Sequence, residues 1–174
     1  YDIVVRFDTD DISLYDRIFI QYNILISKPF VSVCGSSVLE VRKSGLTLQS
    51  RLKSVPAFPK YLDFVYRNPV NHPAVAFRKS HVIKVGGYIS CHFFEDYYLW
   101  LRLFLSNFVI FNFLDFPLVA MDRPSLNERR SGASYSYAEI KFSIRLLKHG
   151  FSGIVFAACI LLKSIVRFAV VRFL

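Results

Sequence analysis

The sequence has 174 residues and a formal net charge of +9, with 53% hydrophobic and 17% aromatic residues. This length is enough for one domain with a core of its own and little more. The composition is apolar for a freely soluble domain and indicates contact with lipid or with a partner. The positive charge would suit nucleic acid, an anionic substrate or an anionic membrane surface. Because the basic residues are scattered and do not form one stripe, nucleic-acid binding ranks last.

The three cysteines, Cys34, Cys91 and Cys159, are widely spaced among apolar residues. This pattern predicts buried free thiols in a reducing compartment, and the sequence contains no CxxC or paired histidine spacing that indicates zinc. The chain begins with Tyr in an apolar run, without an initiator Met or a signal peptide before it. We expect it to be a fragment of a longer protein.

The first predicted strand, Ile3 to Phe7, runs directly into the acids Asp8, Asp10 and Asp11. In open α/β sheets, ligands bind beyond the carboxyl ends of the strands. Three acids within four residues repel one another unless a cation or hydrogen-bond donors neutralise them, and carboxylate oxygens are suitable ligands for Mg²⁺ or Mn²⁺. The pattern therefore favours a metal ion that bridges a diphosphate at this point.

Helix capping is the alternative interpretation of this acidic segment. A helix is predicted from Leu14 to Ser27, and either Asp11 or Ser13 would cap it; for Asp11 alone, capping is favoured. Capping does not explain Asp8 and Asp10, because only one residue can occupy the cap position. An EF-hand calcium loop is disfavoured, since Ser13 stands where that loop requires glycine.

The next segment alternates between short strands and turns. Phe30 to Gly35 is predicted to form a strand, and Ser36 to Leu48 a strand and turn broken at Gly45. Four prolines between Ser54 and Pro73 indicate an irregular crossing within one domain. Asn71 to Ser80 is interpreted as a strand that ends in basic residues.

Two features of the following segment allow both a functional and a structural interpretation. Gly86 and Gly87 permit backbone angles that side chains forbid, either for close approach of another molecule or for a tight turn. Glu95 and Asp96 open a helix, Tyr97 to Ser106, that is apolar on nearly all sides. Acids in a first turn are usually partners of the helix dipole, which spacing alone favours, but a general base could also stand here.

The C-terminal third is predicted to contain a strand from Asn107 to Val119, a polar loop from Ser125 to Ser136 and a helix from Tyr137 to His149 that Gly150 ends. The arginines of the loop could clamp a phosphate, although composition alone favours a solvated loop.

The last 24 residues are strongly apolar. Their uncharged run from Gly150 to Leu162 is shorter than the roughly 20 residues that cross a bilayer. Lys163 and Arg167, four residues apart, share one helical face, which predicts a helix that lies in a membrane interface with its basic side toward lipid headgroups. Packing against another part of the protein is the alternative.

Taken in order, these motifs resemble the family 2 glycosyltransferases of the GT-A fold, over about Ile3 to His149, and most of all the bacterial enzymes that build lipopolysaccharide, capsule or O-antigen sugars. The resemblance implies an α/β fold, a partial GT-A (Rossmann-like) mixed sheet flanked by helices in residues 1–149, with a membrane-associated C-terminal amphipathic helix in residues 150–174. The matching segments are Phe7-Asp8-Thr9-Asp10-Asp11, Arg17 with Gln21, His72-Pro73, Phe77-Arg78-Lys79-Ser80, Gly86-Gly87-Tyr88, Glu95 to Leu103, and Arg123 with the later arginine-rich loop.

The resemblance also implies roles for individual residues. Asp8 and Asp10 match a DxD motif, which contacts the nucleotide-sugar and binds Mg²⁺ or Mn²⁺ on its diphosphate. Asp96 matches the catalytic base, with Glu95 beside it. The remaining roles concern binding. Donor contacts are expected from Gly86, Gly87 and, more loosely, Arg123, Arg129 and Arg130, and acceptor contacts from His72, Tyr88 and Trp100.

The implied function is a metal-dependent inverting transfer of one sugar from a nucleotide-sugar to a glycan or lipid-linked acceptor, in bacterial surface polysaccharide synthesis at the cytoplasmic face of the inner membrane. The QxxRW motif of processive members is absent from the sequence. The family carries further nucleotide-binding strands ahead of its DxD motif, and the sequence contains none, so we expect weak or absent donor binding by this chain alone. The alternatives are an inactive membrane-bound remnant and a haloacid dehalogenase-type phosphohydrolase, which would require a GDxxxD-like acid pair where Glu95 and Asp96 stand.

Overall fold

The computed structural model describes residues 2–44, 47–106, 109–122 and 133–173. The strands and helices alternate along these ranges, with short 3₁₀ turns at His72–Ala74 and Leu147–His149. In chain order they are β1 (Ile3–Val5), β2 (Ile12–Ser13), α1 (Arg17–Ser27), β3 (Val31–Ser44), β4 (Thr47–Lys53), α2 (Tyr61–Tyr66), β5 (Ala76–Arg78), α3 (Lys79–Lys84), α4 (Glu95–Leu105), β6 (Ile110–Asp122), α5 (Ala133–Leu146) and α6 (Gly150–Phe173).

The strands form one mixed sheet in the order β1-β5-β3-β6-β2, with β4 also paired to β3. β3 runs parallel to β6 and antiparallel to β5 and β4. Residues 31–38 of β3 are all buried, as expected for a strand with neighbours on both edges and packing on both faces. The prediction of an α/β chain with a mixed sheet flanked by helices is confirmed.

Helix α4 lies at the centre of the core. Its seven residues from Tyr97 to Leu103 are all buried, which confirms the prediction of a helix that is apolar on nearly all sides. The helix packs against aromatic side chains of β6, α5 and α6, including Phe111, Phe142 and Phe156. The core therefore holds the first turn of α4, with Glu95 and Asp96, in a fixed position relative to the sheet.

Two predictions about the N-terminal segment are wrong. Helix α1 begins at Arg17, later than Leu14, because residues 12–13 pair as β2 with β6. Asp16 takes the N-cap position without a side-chain hydrogen bond, so neither Asp11 nor Ser13 caps this helix. The acids of residues 8–11 thus lie in a loop of their own, between two strands.

Two further segments also differ from the prediction. The crossing between Ser54 and Pro73, predicted to be irregular, contains the two-turn helix α2, which places Phe64 in the core. The segment from Asn71 to Ser80 is a 3₁₀ turn followed by a three-residue strand and the first residues of α3. Pro73 lies in the first turn of the 3₁₀ segment, where the missing N–H is tolerated.

Helices α5 and α6 form a C-terminal hairpin joined by the 3₁₀ turn Leu147–His149 and by Gly150, whose φ is +64°. The first helix ends at Leu146, three residues before the predicted end at His149. Within the described ranges no helix is long and apolar enough to cross a membrane. The prediction that Lys163 points to lipid headgroups is wrong, because its ammonium donates to the carbonyls of Val65 and Tyr66 at the end of α2. The side chain of Arg167 lies outside the described part of the chain.

The three cysteines are free thiols, as predicted. Cys34 and Cys91 are buried and Cys159 is half-buried. Burial raises the pKa of the Cys34 thiol to about 12, which keeps it protonated and unreactive at neutral pH.

His149, at the junction of the α5–α6 hairpin, is expected to make the stability of the protein depend on pH. The Nε2 of His149 lies 3.2 Å from the hydroxyl of Tyr98, and burial, together with the charge of Arg102, lowers the pKa of His149 below 6.5. Below about pH 6.5 the imidazole of His149 is protonated in the unfolded chain, whereas in the folded protein it takes up a proton only at a lower pH. The free energy of unfolding therefore falls as the pH drops from about 6.5 through the folded-state pKa. In urea unfolding from about pH 7.5 to about pH 5, we expect His149→Gln to lose less stability than the wild type.

His92→Gln is the matched control for removal of an imidazole, since His92 is exposed and contacts only the ring of Phe93 among the contacts described. Parallel pH curves for the wild type and His149→Gln would contradict the expectation.

Candidate functional site

The acidic segment predicted to bind a metal forms a tight turn directly after β1. The N–H of Asp11 donates to the carbonyl of Asp8 at 3.1 Å, which closes the turn. Asp8 makes an ion pair with Arg6, and Asp10 is exposed to solvent. The turn therefore presents carboxylates just beyond the end of a strand, as the sequence predicts.

The carboxylate of Asp11 lies close to the negative charges of Asp8 and Asp10 in this turn. Burial, followed by the negative charges of Asp8 and Asp10, raises the pKa of Asp11 to about 6, although Arg17 and Arg6 lower it. Its Oδ2 is buried and has no hydrogen-bond partner among the described residues. A buried carboxylate oxygen without a partner, beside two more carboxylates, fits a divalent cation.

The described residues contain no group of three or more His, Cys, Asp or Glu side chains that could hold a metal ion by themselves. Mg²⁺ is commonly held by one or two carboxylates together with the phosphates of a substrate. The acidic turn has the donor set for a cation of that kind, in which the substrate supplies the remaining ligands.

A buried polar pair on α1 fixes the position of this turn. Arg17 and Gln21 are both buried, and the Nε of Arg17 donates to the Oε1 of Gln21 at 3.1 Å. The guanidinium of Arg17 also donates to the carbonyl of Arg6 at 2.6 Å, and the amide of Gln21 donates to the carbonyls of Cys34 and Ala74 at 3.2 and 2.9 Å. The pair thus joins the end of β1 to β3 and to the 3₁₀ turn.

Asp96, the predicted catalytic base, lies in the first turn of α4 with both carboxylate oxygens engaged. The Oδ2 accepts from the amide of Asn68 at 3.0 Å, and the Oδ1 accepts from the N–H of Tyr97 at 2.7 Å. Asp96 can be both a partner of the helix dipole and a general base. Its carboxylate lies at the N-terminus of α4, and it is half-buried beside a cleft.

His72 connects the two acidic regions. Its Nε2 accepts from the Nε of Arg6 at 3.1 Å, and Arg6 in turn pairs with Asp8. Burial lowers the pKa of His72; Asp96 opposes that shift, Arg6 adds to it, and Asp8 also opposes it. His72 is therefore neutral at pH 7, and the charges of Asp8 and Asp96 both reach it.

The cleft itself has a volume of about 460 Å³ and is lined by Arg6, the ion-pair partner of Asp8, and by the two acids of α4. Burial raises the pKa of the Tyr88 hydroxyl, Arg6 opposes this, and Asp96 and Asp8 both add to it. Side chains that line the cleft are Val4, Arg6, His72, Phe77, Tyr88, Glu95 and Asp96. The acidic turn and the start of α4 thus act on the same cleft.

Gly86 and Gly87 form the turn that leads to Tyr88 at this cleft. Their φ angles are +87° and +64°, so a side chain at either position would be strained. The buried guanidinium of Arg102 on α4 donates to the carbonyls of Val85 and Gly87, the latter at 2.5 Å. The pair is therefore a tight turn, and Tyr88, which follows it, lines the cleft.

Of the predicted site residues that the structure describes, four line the cleft (His72, Tyr88, Glu95 and Asp96) and five do not (Asp8, Asp10, Gly86, Gly87 and Trp100). Trp100 is fully buried, with its ring 5.8 Å from that of His72 and 5.9 Å from that of Phe77, so it supports the cleft from behind and has no surface for an acceptor. Arg123, Arg129 and Arg130 lie outside the described residues.

Three residues of the site were missed from the sequence. Arg6 is a charged residue within an otherwise apolar strand, and that exception was a usable signal. Arg102 lies on α4, 15 positions after Gly87, so no local pattern in the sequence indicates that its side chain contacts the glycine turn. Asn68 lies in a segment that was predicted to be irregular, and its bond to Asp96 crosses 28 positions in the sequence.

Comparison with known proteins gives several curated relatives, although no protein-family model matches the chain. It is 33% identical over 143 residues to the amylovoran biosynthesis glycosyltransferase AmsE of Erwinia amylovora, covering 81% of this chain and 53% of that protein. It is 34% identical over 143 residues to an Escherichia coli UDP-Gal:alpha-D-GlcNAc-diphosphoundecaprenol beta-1,3-galactosyltransferase, covering 81% and 51%. An uncharacterized glycosyltransferase of Haemophilus influenzae is 30% identical over 155 residues, covering 88% and 57%.

The chain spans about half the length of the curated relatives it matches. The matched part covers most of this chain, including the greater part of the cleft's sequence range. The curated homologues of this chain are bacterial glycosyltransferases at about 30% identity, and they support a transferase.

Proposed function

We propose that this chain is the C-terminal part of a family 2 glycosyltransferase domain of the GT-A fold. The protein would move one sugar, with inversion, from a nucleotide-sugar to a glycan or lipid-linked acceptor in bacterial surface polysaccharide synthesis. One relative is named for a sugar diphosphate carried on undecaprenol, and we propose an acceptor of that class. The phosphohydrolase and the inactive remnant are not favoured, since the named relatives are glycosyltransferases.

One observation carries the proposal. Asp8, in the turn after β1, pairs with Arg6, and Arg6 lines the same cleft as Asp96 of α4. A displacement at a sugar carbon requires positive charge near the leaving diphosphate and a base near the attacking hydroxyl. Arg6 and a cation held at the acidic turn would supply the positive charge, and Asp96 would supply the base.

The roles of the residues follow from their surroundings. When bound at Asp8 and Asp10, Mg²⁺ or Mn²⁺ would neutralise charge on the leaving diphosphate as a Lewis acid. Arg6 adds a positive charge of the protein at the same end. Asp96, oriented by Asn68, takes the proton of the acceptor hydroxyl as the acceptor oxygen attacks the anomeric carbon from the face opposite the leaving group, which inverts that carbon.

Peripheral association with the cytoplasmic face of the inner membrane is part of the proposal. Its support is the outer face of α6, where the apolar side chains of Ile154, Leu162 and Ile165 are each more than half exposed. Exposed apolar side chains that follow a helical repeat are typical of a helix lying in a lipid interface.

Metal dependence is tested by Asp10→Asn in the full-length protein. We expect the Mn²⁺-dependent kcat/KM for transfer to fall by about a hundredfold or more, since even an outer partner of a metal site typically contributes 10- to 100-fold in affinity or activity. Asp16→Asn is the matched control, because Asp16 is an exposed acid shortly after the turn. An unchanged metal dependence in Asp10→Asn would contradict the role of this turn.

A further inference from the structure

A second cavity lies beside Asp96. We call it the helical pocket: it has a volume of about 140 Å³ and lies between the end of α2, the start of α4 and the α5–α6 hairpin. Asp96 lines both the cleft and the helical pocket. Asn68, which donates to its carboxylate, lines the helical pocket as well.

We propose that the helical pocket binds the sugar ring of the acceptor, with the acceptor's diphosphate at its rim beside the exposed Arg67, so that the C-terminal hairpin is part of the substrate site. This inference rests on the proposed glycosyltransferase function. It assigns to α5 and α6 a role in recognition that is separate from any contact with lipid.

Aromatic side chains form one wall of the helical pocket. The ring of Tyr135 on α5 lies 5.5 Å from that of Phe93 and 5.3 Å from that of Phe94, and all three line the pocket. Aromatic faces offer apolar contact area at low entropic cost, which suits the C–H face of a pyranose ring. A pocket for a metal ion or a small anion would not need this wall.

A buried carboxylate stands among these rings. Glu139 on α5 is 5% exposed and accepts a hydrogen bond from the hydroxyl of Ser164 on α6. A carboxylate has capacity for about four hydrogen bonds, so Glu139 can also accept from the hydroxyls of a ligand. A site that hydrogen-bonds hydroxyls inside an apolar wall distinguishes a sugar from an apolar ligand of equal size.

Two cations complete the helical pocket. Arg67 is exposed next to Asn68, and the ammonium of Lys163 caps the carbonyls at the end of α2. Guanidinium groups bind the oxygens of phosphates in a bidentate manner, and an ammonium adds a point charge. The pair therefore favours an acceptor that carries its sugar on a diphosphate over a neutral glycan.

The position of Asp96 makes the two cavities parts of one reaction. The acceptor hydroxyl, held in the helical pocket, gives its proton to the Asp96 carboxylate, and its oxygen forms the new bond to the anomeric carbon of the donor in the cleft. The bond from that carbon to the diphosphate oxygen breaks, and the nucleoside diphosphate leaves with the electron pair. No further reactant is needed.

The matched pair Tyr135→Leu and Tyr137→Leu tests this inference in the full-length protein. Both tyrosines lie on α5, but Tyr135 lines the helical pocket and Tyr137 is 59% exposed on the outer face. The probes are short-chain alkyl diphosphates of glucose, galactose and N-acetylglucosamine. For the best acceptor among them, we expect Tyr135→Leu to raise KM by about tenfold, the loss expected for one aromatic contact and its area. Tyr137→Leu should leave it unchanged.

Donor KM and donor hydrolysis are measured in the same variants, and they separate the two proposals. Normal donor kinetics with an unchanged acceptor KM in Tyr135→Leu would overturn the pocket while leaving the proposed function in place. Absence of donor hydrolysis and of transfer in the wild type would count against the proposed function itself.

A second measurement does not depend on turnover. The same alkyl diphosphates, carrying a photoreactive diazirine on the alkyl chain, are crosslinked to the protein and mapped by peptide mass spectrometry. We expect labelling of α2, α5 or α6, with competition by the unlabelled sugar diphosphate and weaker competition by inorganic pyrophosphate. Labelling confined to other elements, or equal competition by pyrophosphate alone, would overturn the assignment of a sugar-binding pocket.

Discussion

Replacement of Asp96 by asparagine in the full-length protein is expected to lower kcat for sugar transfer by about 100- to 10,000-fold, the range for loss of a general base. An asparagine at this position keeps one acceptor oxygen and so retains one of the two hydrogen bonds of Asp96, from Asn68 or from the N–H of Tyr97, and the fold should persist. It cannot take the proton of the acceptor hydroxyl. Because Asp96 would act on the acceptor, the donor affinity should change little, and steady-state kinetics with titration of the donor can measure both quantities.

Asp115→Asn is the matched control for this experiment, since it removes an exposed carboxylate on β6. A transfer rate in Asp96→Asn within about twofold of wild type would contradict the role of Asp96, because loss of a base cannot be so mild.

Gly153→Ala is expected to have the largest effect on stability. Alanine normally stabilises a helix by about 0.5–1 kcal/mol relative to glycine. At Gly153, however, a Cβ atom would lie 1.9 Å from the backbone carbonyl oxygen of Leu146 and 3.0 Å from the Cβ of His149. A backbone atom cannot yield as a flexible side chain can, so α5 and α6 would have to separate. We expect the free energy of unfolding to fall by about 2–4 kcal/mol in urea.

Ala158→Gly on the same helix is the control, because Ala158 is exposed and should follow helix propensity alone. It is expected to cost about 1 kcal/mol, so glycine is favoured at one position of α6 and alanine at the other. If Gly153→Ala were neutral or stabilising, the close contact between the two helices would be contradicted. The helical pocket, which the hairpin helps to form, would then be in doubt as well.

The sequence predicts well the features that depend on local pattern. A β-branched strand ahead of the acids, the apolar helix that contains Asp96 and a break between two helices just before Gly150 are all local signals, and the structure contains each of them. Residues 12–13 show the limit of this approach. Their pairing with β6 depends on residues more than a hundred positions away, and that pairing delays the start of α1 to Arg17.

The candidate site depends more heavily on contacts that spacing cannot reveal. Lys163 has the helical spacing of a basic membrane-facing residue, yet it binds carbonyls of α2, 97 and 98 positions away in the sequence. Trp100 resembles an aromatic acceptor platform, but the core covers it completely. The helical pocket is formed by three segments of the chain, and the sequence of each segment taken alone does not predict a pocket. Only their packing shows that Asp96 faces two cavities.

The most direct test of the account is a crystal structure of the full-length protein with Mn²⁺ and a nucleoside diphosphate, in which anomalous scattering locates the metal. We expect the manganese peak at the turn that contains Asp8 and Asp10, with the diphosphate in the cleft and the carboxylate of Asp96 facing it across His72 and Tyr88. A metal bound elsewhere, or an Asp96 carboxylate that faces away from the nucleotide, would contradict the central claim.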